Sequence, residues 1–243
     1  MRHVHVSEEK GVRYLHLGSP WVQGAMRIAR PWSLELEYTR DMMVPLLMRS
    51  HGSWPARVLC IGLGSGSLPK FLHRHRARTV ITAVEISEEV VAVARQYFRL
   101  PDDDRMRVVL GDAGQYVAKS NELFELVLVD GFDGRGRAGA LDAREFHGHC
   151  RRLLAPGGLV AVNLLTRQRG NSASIARIAE AYDGQLAVMS PSGDGNVIAL
   201  AGAEPLDLDE GELRERAREL KAASGLDLAP SIARLVHART RGN

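Results

Sequence analysis

A doubly wound α/β architecture on a mostly parallel seven-stranded sheet is predicted by three observations. Past residue 55 the chain carries five near-continuously apolar runs: ARVLCIGLG (56–64), TVITAVEI (79–86), RMRVVLGD (105–112), FELVLVDG (124–131) and LVAVNLL (159–165). Segments of helical period separate them, among them SEEVVAVARQYF (87–98) and LDAREFHGHCRRLL (141–154). Two last runs, QLAVMS (185–190) and NVIALAG (196–202), are joined only by PSGDG.

Runs without polar alternation suit parallel strands covered on both faces. Strand and helix in strict alternation give crossover units and hence a parallel sheet. Ser87 is placed to cap the helix that follows it, and Ala-Pro-Gly-Gly at 155–158 closes the one before the fifth run. The PSGDG link is too short for a parallel crossover, so the last two runs pair as an antiparallel hairpin. A parallel sheet ending this way is the layout of the Rossmann-like methyltransferase fold.

Residues 12–28, VRYLHLGSPWVQGAMRI, predict a small β-hairpin around Gly-Ser-Pro, with a helix from about Ser33. From Glu204 onward DEGELRERARELKAA is acidic first and basic later, which predicts an exposed helix aligned with its own dipole. The expected division is an N-terminal hairpin segment (1–32), a nucleoside-binding catalytic domain (33–203) and a helical C-terminal extension (204–243).

With 45% hydrophobic and 25% charged residues in 243, the chain can bury a sizeable core. No run is long enough for a membrane span, and MRHVHVSEEK has no signal-peptide core. Two cysteines, Cys60 and Cys150, are too few for a disulfide framework, which fits a reducing cytoplasm. A net charge of +3 is too weak a field to make nucleic acid the main partner. HRHR (73–76) and HGHC (147–150) lack a second ligand pair at zinc spacing, so both read as solvated helix faces and no metal is expected.

Ligands of open α/β sheets bind beyond the carboxyl ends of the strands. The first such loop is IGLGSGS, with Gly62, Gly64, Ser65 and Gly66 directly after a strand; backbone can approach a ligand there, and the next helix offers N–H donors. The second strand ends in Glu85, placed to accept from ribose hydroxyls. The third ends in Gly111-Asp112-Ala113, where a carboxylate can accept from an adenine amine. Together these loops favour adenosine with a sulfonium over NAD.

The fourth strand delivers Asp130, and Asp133 follows three residues on. An attacking amine arrives as ammonium, with a pKa near 10, and must be held, oriented and relieved of a proton. A carboxylate does the first two by charge-assisted hydrogen bonds. It becomes a better base when burial or a like charge, such as Asp133, raises its pKa.

Around Asp130 the sequence resembles the spermidine and spermine synthase family of aminopropyltransferases, whose fourth strand ends D-[SA]-[ST]-D-P-x-G-P-A-x-x-L. Here Asp130-Gly-Phe-Asp133, Gly136, Ala138 and Leu141 fall at the matching offsets. The resemblance implies a catalytic role for Asp130 and an amine-binding role for Asp133. LGSPWVQ resembles the family's L-D-G-x-x-Q, which sets Gln23 against the nucleoside, and Tyr38 in LELEYTRDM resembles the tyrosine of its gate helix. PSG at 191–193 resembles its Y-P-S-G loop. By the same resemblance Gly62 to Gly66, Glu85 and Asp112 bind methylthioadenosine, decarboxylated S-adenosylmethionine is the co-substrate, a small amine is the acceptor, and the assembly is a homodimer.

Departures concentrate on the amine side. Ser65 replaces the family's aspartate, Thr39 its histidine and Ser190 its tyrosine, while Gly134 and Arg137 replace its prolines and Arg135 adds positive charge. The leading expectation is aminopropyl transfer from decarboxylated S-adenosylmethionine to an amine. Two other readings share the scaffold: an S-adenosylmethionine methyltransferase, to which Ser65 is suited, and a nonenzymatic nucleoside-binding relative.

Overall fold

The computed structural model describes residues 4–18, 21–49, 53–132, 138–165, 171–193, 195–206 and 208–241, with side chains up to Leu235. Strands β1 (Val4–Glu9), β2 (Val12–Leu17) and β3 (Val22–Arg27) form an N-terminal antiparallel sheet. The expected hairpin is β2–β3, and β1 extends it: VHVSEE pairs along the whole of β2. Helix α1 (Glu37–Asp41) and a 3₁₀ turn (Val44–Leu47) follow. The helix thus begins four residues later than the sequence suggests, at Glu37 rather than Ser33.

The large sheet alternates β4 (Arg57–Ile61), α2 (Ser67–His75), β5 (Val80–Glu85), α3 (Glu88–Phe98), β6 (Met106–Leu110), α4 (Ala113–Lys119) and β7 (Phe124–Val129). It continues through α5 (Arg144–Arg152), β8 (Leu154–Leu165), α6 (Ser172–Ala181), β9 (Leu186–Val188) and β10 (Asn196–Gly202). Strand order is β6-β5-β4-β7-β8-β10-β9. All pairs from β6 to β8 are parallel, whereas β10 runs antiparallel to β8 and β9. Ser87 caps α3 by accepting from the Val90 N–H at 3.3 Å. Chain order reverses across β4, which opens a crevice between the loops after β4 and β7.

Burial explains the unbroken apolar runs. Along β4, Val58 and Cys60 face a core shared with α2, α3 and the C-terminal helices, while Leu59 and Ile61 face one shared with α4, α5 and α6. Each large side chain fully buried there contributes about 1.5–3 kcal/mol relative to exposure.

Two surface assignments give way. The tail forms α7 (Glu210–Ser224) and α8 (Ala229–Arg241), and α7 buries Leu213, Ala217 and Leu220, one stripe at helical spacing, in the first core. Its charge pattern describes only the outward face. On α5, HGHC is not a solvated face: His147 is 0% exposed and Cys150 is buried. The His147 ring nitrogens have no hydrogen-bond partner among the described residues.

Burial, only partly opposed by Asp142, lowers the His147 pKa to about 4 from an ordinary 6.5. The unfolded chain therefore binds the proton first, and stability is lost as pH falls from about 6.5 towards 4, by about 3 kcal/mol. Relative to wild type, a His147→Phe variant should gain stability progressively over that range in denaturant titrations run at several pH values. A gap that stays constant with pH would contradict a buried neutral imidazole.

Candidate active site

The crevice is a cavity of about 910 Å³ whose wall is drawn from the ends of β4, β5, β6 and β7 together with β3 and α1. That volume suits a nucleoside carrying an alkyl chain. Its tightest element is Gly62, at φ +87°, whose missing Cβ would lie 2.4 Å from the carbonyl oxygen of Asp130. The β4 and β7 loops therefore meet backbone to backbone, and a glycine is required there. Gly64 also lines the cavity.

Glu85, at the end of β5, accepts from the Leu63 N–H at 3.0 Å through Oε2 and from the Ser87 N–H at 2.9 Å through Oε1. It braces the glycine loop, lines the cavity, and keeps acceptor capacity on each oxygen beyond these two bonds. Asp112 caps α4 by accepting from the Gln115 N–H at 2.8 Å, and with Ala113 it lies on the cavity wall. Gln23 reaches the same wall from β3, beside Trp21 and Val22.

Two expected nucleoside contacts lie elsewhere. Ser65 is 2% exposed and absent from the wall; its Oγ is 2.9 Å from Ser67 Oγ, which donates to the Ala25 carbonyl of β3 at 3.1 Å. Gly66 makes room for Leu100, whose Cδ1 would stand 2.8 Å from a Cβ at that position. Both positions serve packing of the loop rather than the cavity. Asp133 lies outside the described residues, as do Gly134, Arg135, Gly136 and Arg137.

Asp130 stands at the cavity floor, positioned by its N–H, which donates to the Ile61 carbonyl at 2.8 Å. Its Oδ1 accepts from Asn163 Nδ2 at 2.8 Å, and its Oδ2 accepts from Tyr38 Oη at 3.2 Å. Asn196 Nδ2 donates in turn to Asn163 Oδ1 at 2.8 Å. Strands β7, β8 and β10 are neighbours, so these three side chains meet at the carboxyl ends of β7 and β8. Burial raises the Asp130 carboxyl to about 6, against the opposing pull of the Asn163 and Tyr38 hydrogen bonds.

Asn163 and Asn196 are the residues that sequence reasoning missed. The signal was present as a single polar residue inside LVAVNLL and another opening NVIALAG. A buried amide needs a partner, so an asparagine at the ligand end of an apolar strand marks a site.

The spermine/spermidine synthase domain matches residues 35–173. The chain belongs to that family. It is 35% identical to the polyamine aminopropyltransferase of Chromobacterium violaceum over 237 residues, 97% of this chain and 90% of that protein. A spermidine synthase solved with the transition state analogue AdoDATO shares the fold at 19% identity, with a TM-score of 0.64 over 96% of this chain and 85% of that one. The human methyltransferase-like protein 13, solved with SAH, is 26% identical with a TM-score of 0.69 over 78% of this chain and 93% of that one. Family membership covers the strand-end loops, Tyr38 and Asp130 alike.

Proposed function

We propose that this family member transfers an aminopropyl group from decarboxylated S-adenosylmethionine to a small amine, releasing methylthioadenosine. The observation that carries the reading is Asp130, partly buried, hydrogen-bonded by Tyr38 and Asn163, on the floor of the cavity that the nucleoside loops enclose. Gln23, Gly62, Gly64, Glu85, Asp112 and Ala113 hold the nucleoside, with Glu85 towards the ribose and Asp112 towards the adenine. The catalytic unit is residues 33–203, with Leu17, Trp21, Val22 and Gln23 of the N-terminal segment on the cavity wall.

The sulfonium already activates the donor. The amine lone pair forms a bond to the methylene carbon beside sulfur, the carbon–sulfur bond breaks in line, and sulfur keeps the electron pair. Asp130 holds the incoming ammonium by a charge-assisted hydrogen bond and takes the proton that the nitrogen must lose. With the carboxyl near 6 and an alkylamine near 10.4, full transfer before attack costs about 6 kcal/mol. A carboxylate at the ordinary value would cost about 3 kcal/mol more, so burial is part of the catalyst. Proximity supplies the remainder.

Activity should therefore rise with pH through a limb near 6 set by Asp130. Asn163→Leu and Tyr38→Phe each remove a hydrogen bond that favours the ionised form, so each should move that limb upward, by about one pH unit. An unmoved limb in the pH–rate profile would exclude Asp130 as its source.

The direct test is incubation with decarboxylated S-adenosylmethionine and a panel of mono-, di- and polyamines, with methylthioadenosine and the alkylated amine read by mass spectrometry. Both products should appear in equal amounts. Release of S-adenosylhomocysteine from intact S-adenosylmethionine, with no turnover of the decarboxylated donor, would favour the methyltransferase reading instead. Among the described residues no helix is long and apolar enough to cross a membrane; cytoplasmic location and a homodimer complete the proposal, the latter measurable by light scattering.

A further inference from the structure

Helix α1 has only five residues and no side-chain cap at its start. A helix this short does not hold itself, yet it carries the Tyr38 hydroxyl that donates to Asp130. What fixes it comes from the other end of the chain. Glu37 and Asp41, one helical turn apart and flanking Tyr38, both meet Arg234 of α8. Arg234 Nη1 lies 2.7 Å from Glu37 Oε1, and Nη2 contacts Asp41 Oδ1. Ser231 Oγ donates to the same Asp41 oxygen at 2.6 Å, and Asp41 is 2% exposed. The second Glu37 oxygen accepts from the Gly193 N–H at 3.0 Å, while the Ser190 N–H donates to the Arg234 carbonyl at 3.4 Å.

This arrangement does more than fasten a tail. A planar guanidinium engaging two carboxylates fixes both the rotation and the height of the helix between them. It also occupies the two acids of α1 itself, so that neither competes with Asp130 for a cationic amine. We infer that Arg234 is a positioning residue: through Glu37 and Asp41 it sets α1 so that the Tyr38 hydroxyl reaches Asp130, which makes the C-terminal helix part of the catalytic apparatus. The inference rests on the proposed transfer reaction.

Three enzymes are compared in the transfer assay: Arg234→Met, Tyr38→Phe and the double variant. Arg234→Met strands the Asp41 charge, so Asp41→Asn/Arg234→Met is prepared alongside as a variant without that buried charge. Arg234→Met should lower kcat about tenfold with little change in the donor KM, as expected for a misplaced catalytic contact. Tyr38→Phe/Arg234→Met should be no slower than Tyr38→Phe alone, because the arginine acts through the tyrosine. Arg234→Lys should recover part of the rate. In Arg234→Met and in Asp41→Asn/Arg234→Met, amide exchange at residues 37–41 should accelerate while that of β4 and β7 stays slow.

Additive losses in the double variant, a change confined to KM, or unaltered exchange at 37–41 would each overturn the inference. Failure of the reaction itself reads differently. A wild type that makes no methylthioadenosine refutes the transfer reading, while the exchange experiment still reports on the clamp.

Discussion

Asp130→Asn is expected to abolish measurable transfer and to yield a more stable protein at pH 8. The rate should fall by at least about 10³-fold, the upper part of the range for losing a general base, the role proposed for Asp130. Stability moves the other way because the folded state holds this carboxyl near 6 against an ordinary 3.8. A folded pKa above the unfolded one means that folding favours the protonated acid, so stability falls as pH rises from about 3.8 to about 6 and the cost persists above that. Its size is about 3 kcal/mol. Asparagine removes the charge and can still accept from Asn163 Nδ2. The variant should melt several degrees higher than wild type at pH 8, with the gap closing by pH 4. Equal melting temperatures at pH 8 would mean that Asp130 carries no desolvation cost, and the explanation for its basicity would fail.

Gly62→Ala carries the second large effect. Its φ of +87° is unfavourable for any residue with a side chain, and the added Cβ would sit 2.4 Å from the Asp130 carbonyl oxygen. Backbone strain costs about 1–3 kcal/mol and overpacking a similar amount, so a loss of about 3 kcal/mol is expected in denaturant titration. The loops after β4 and β7 must separate to admit the methyl group, which displaces both the cavity wall and Asp130. Donor KM should therefore rise and kcat fall together. Gly64→Ala is the informative contrast: its Cβ would meet only the Gln23 carbonyl, at an ordinary 3.5 Å, although its φ of +51° still carries strain. Equal damage from both substitutions would show that conformation alone, and not the approach to Asp130, matters at Gly62.

The parts legible in the sequence are those where one residue type has one physical use. Strands β4, β5, β7 and β8 could be read because both faces are largely buried, leaving little polar alternation to mistake for a surface. Asp130, Glu85 and Asp112 could be placed because a charge directly after an apolar strand has few uses other than a ligand or a helix cap; Asp112 is on the cavity wall and is also a cap. Other features have no local signature. VHVSEE in β1 alternates with too few apolar residues to announce a strand until β2 is there to pair with it. Ser65 and Gly66 sit in a glycine loop whose members look equivalent in sequence, yet only the fold decides which of them face the cavity and which face β3 or Leu100. The Asn163–Asn196 pair and the contacts of Arg234 with Glu37 and Asp41 join residues far apart in the chain, and nothing in a local window distinguishes them from strand and surface polar groups.

The central claim is that the cavity accepts an aminopropyl donor. Calorimetric titration with decarboxylated S-adenosylmethionine, intact S-adenosylmethionine and methylthioadenosine, run in parallel on wild type and Asp130→Asn, tests it most directly. Decarboxylated donor and methylthioadenosine should bind wild type well, with the intact donor weaker because its carboxylate must enter near Asp130. Asp130→Asn should narrow the gap between the two donors. Tighter binding of intact S-adenosylmethionine than of the decarboxylated form by wild type would contradict aminopropyl transfer and place the protein with the methyltransferases.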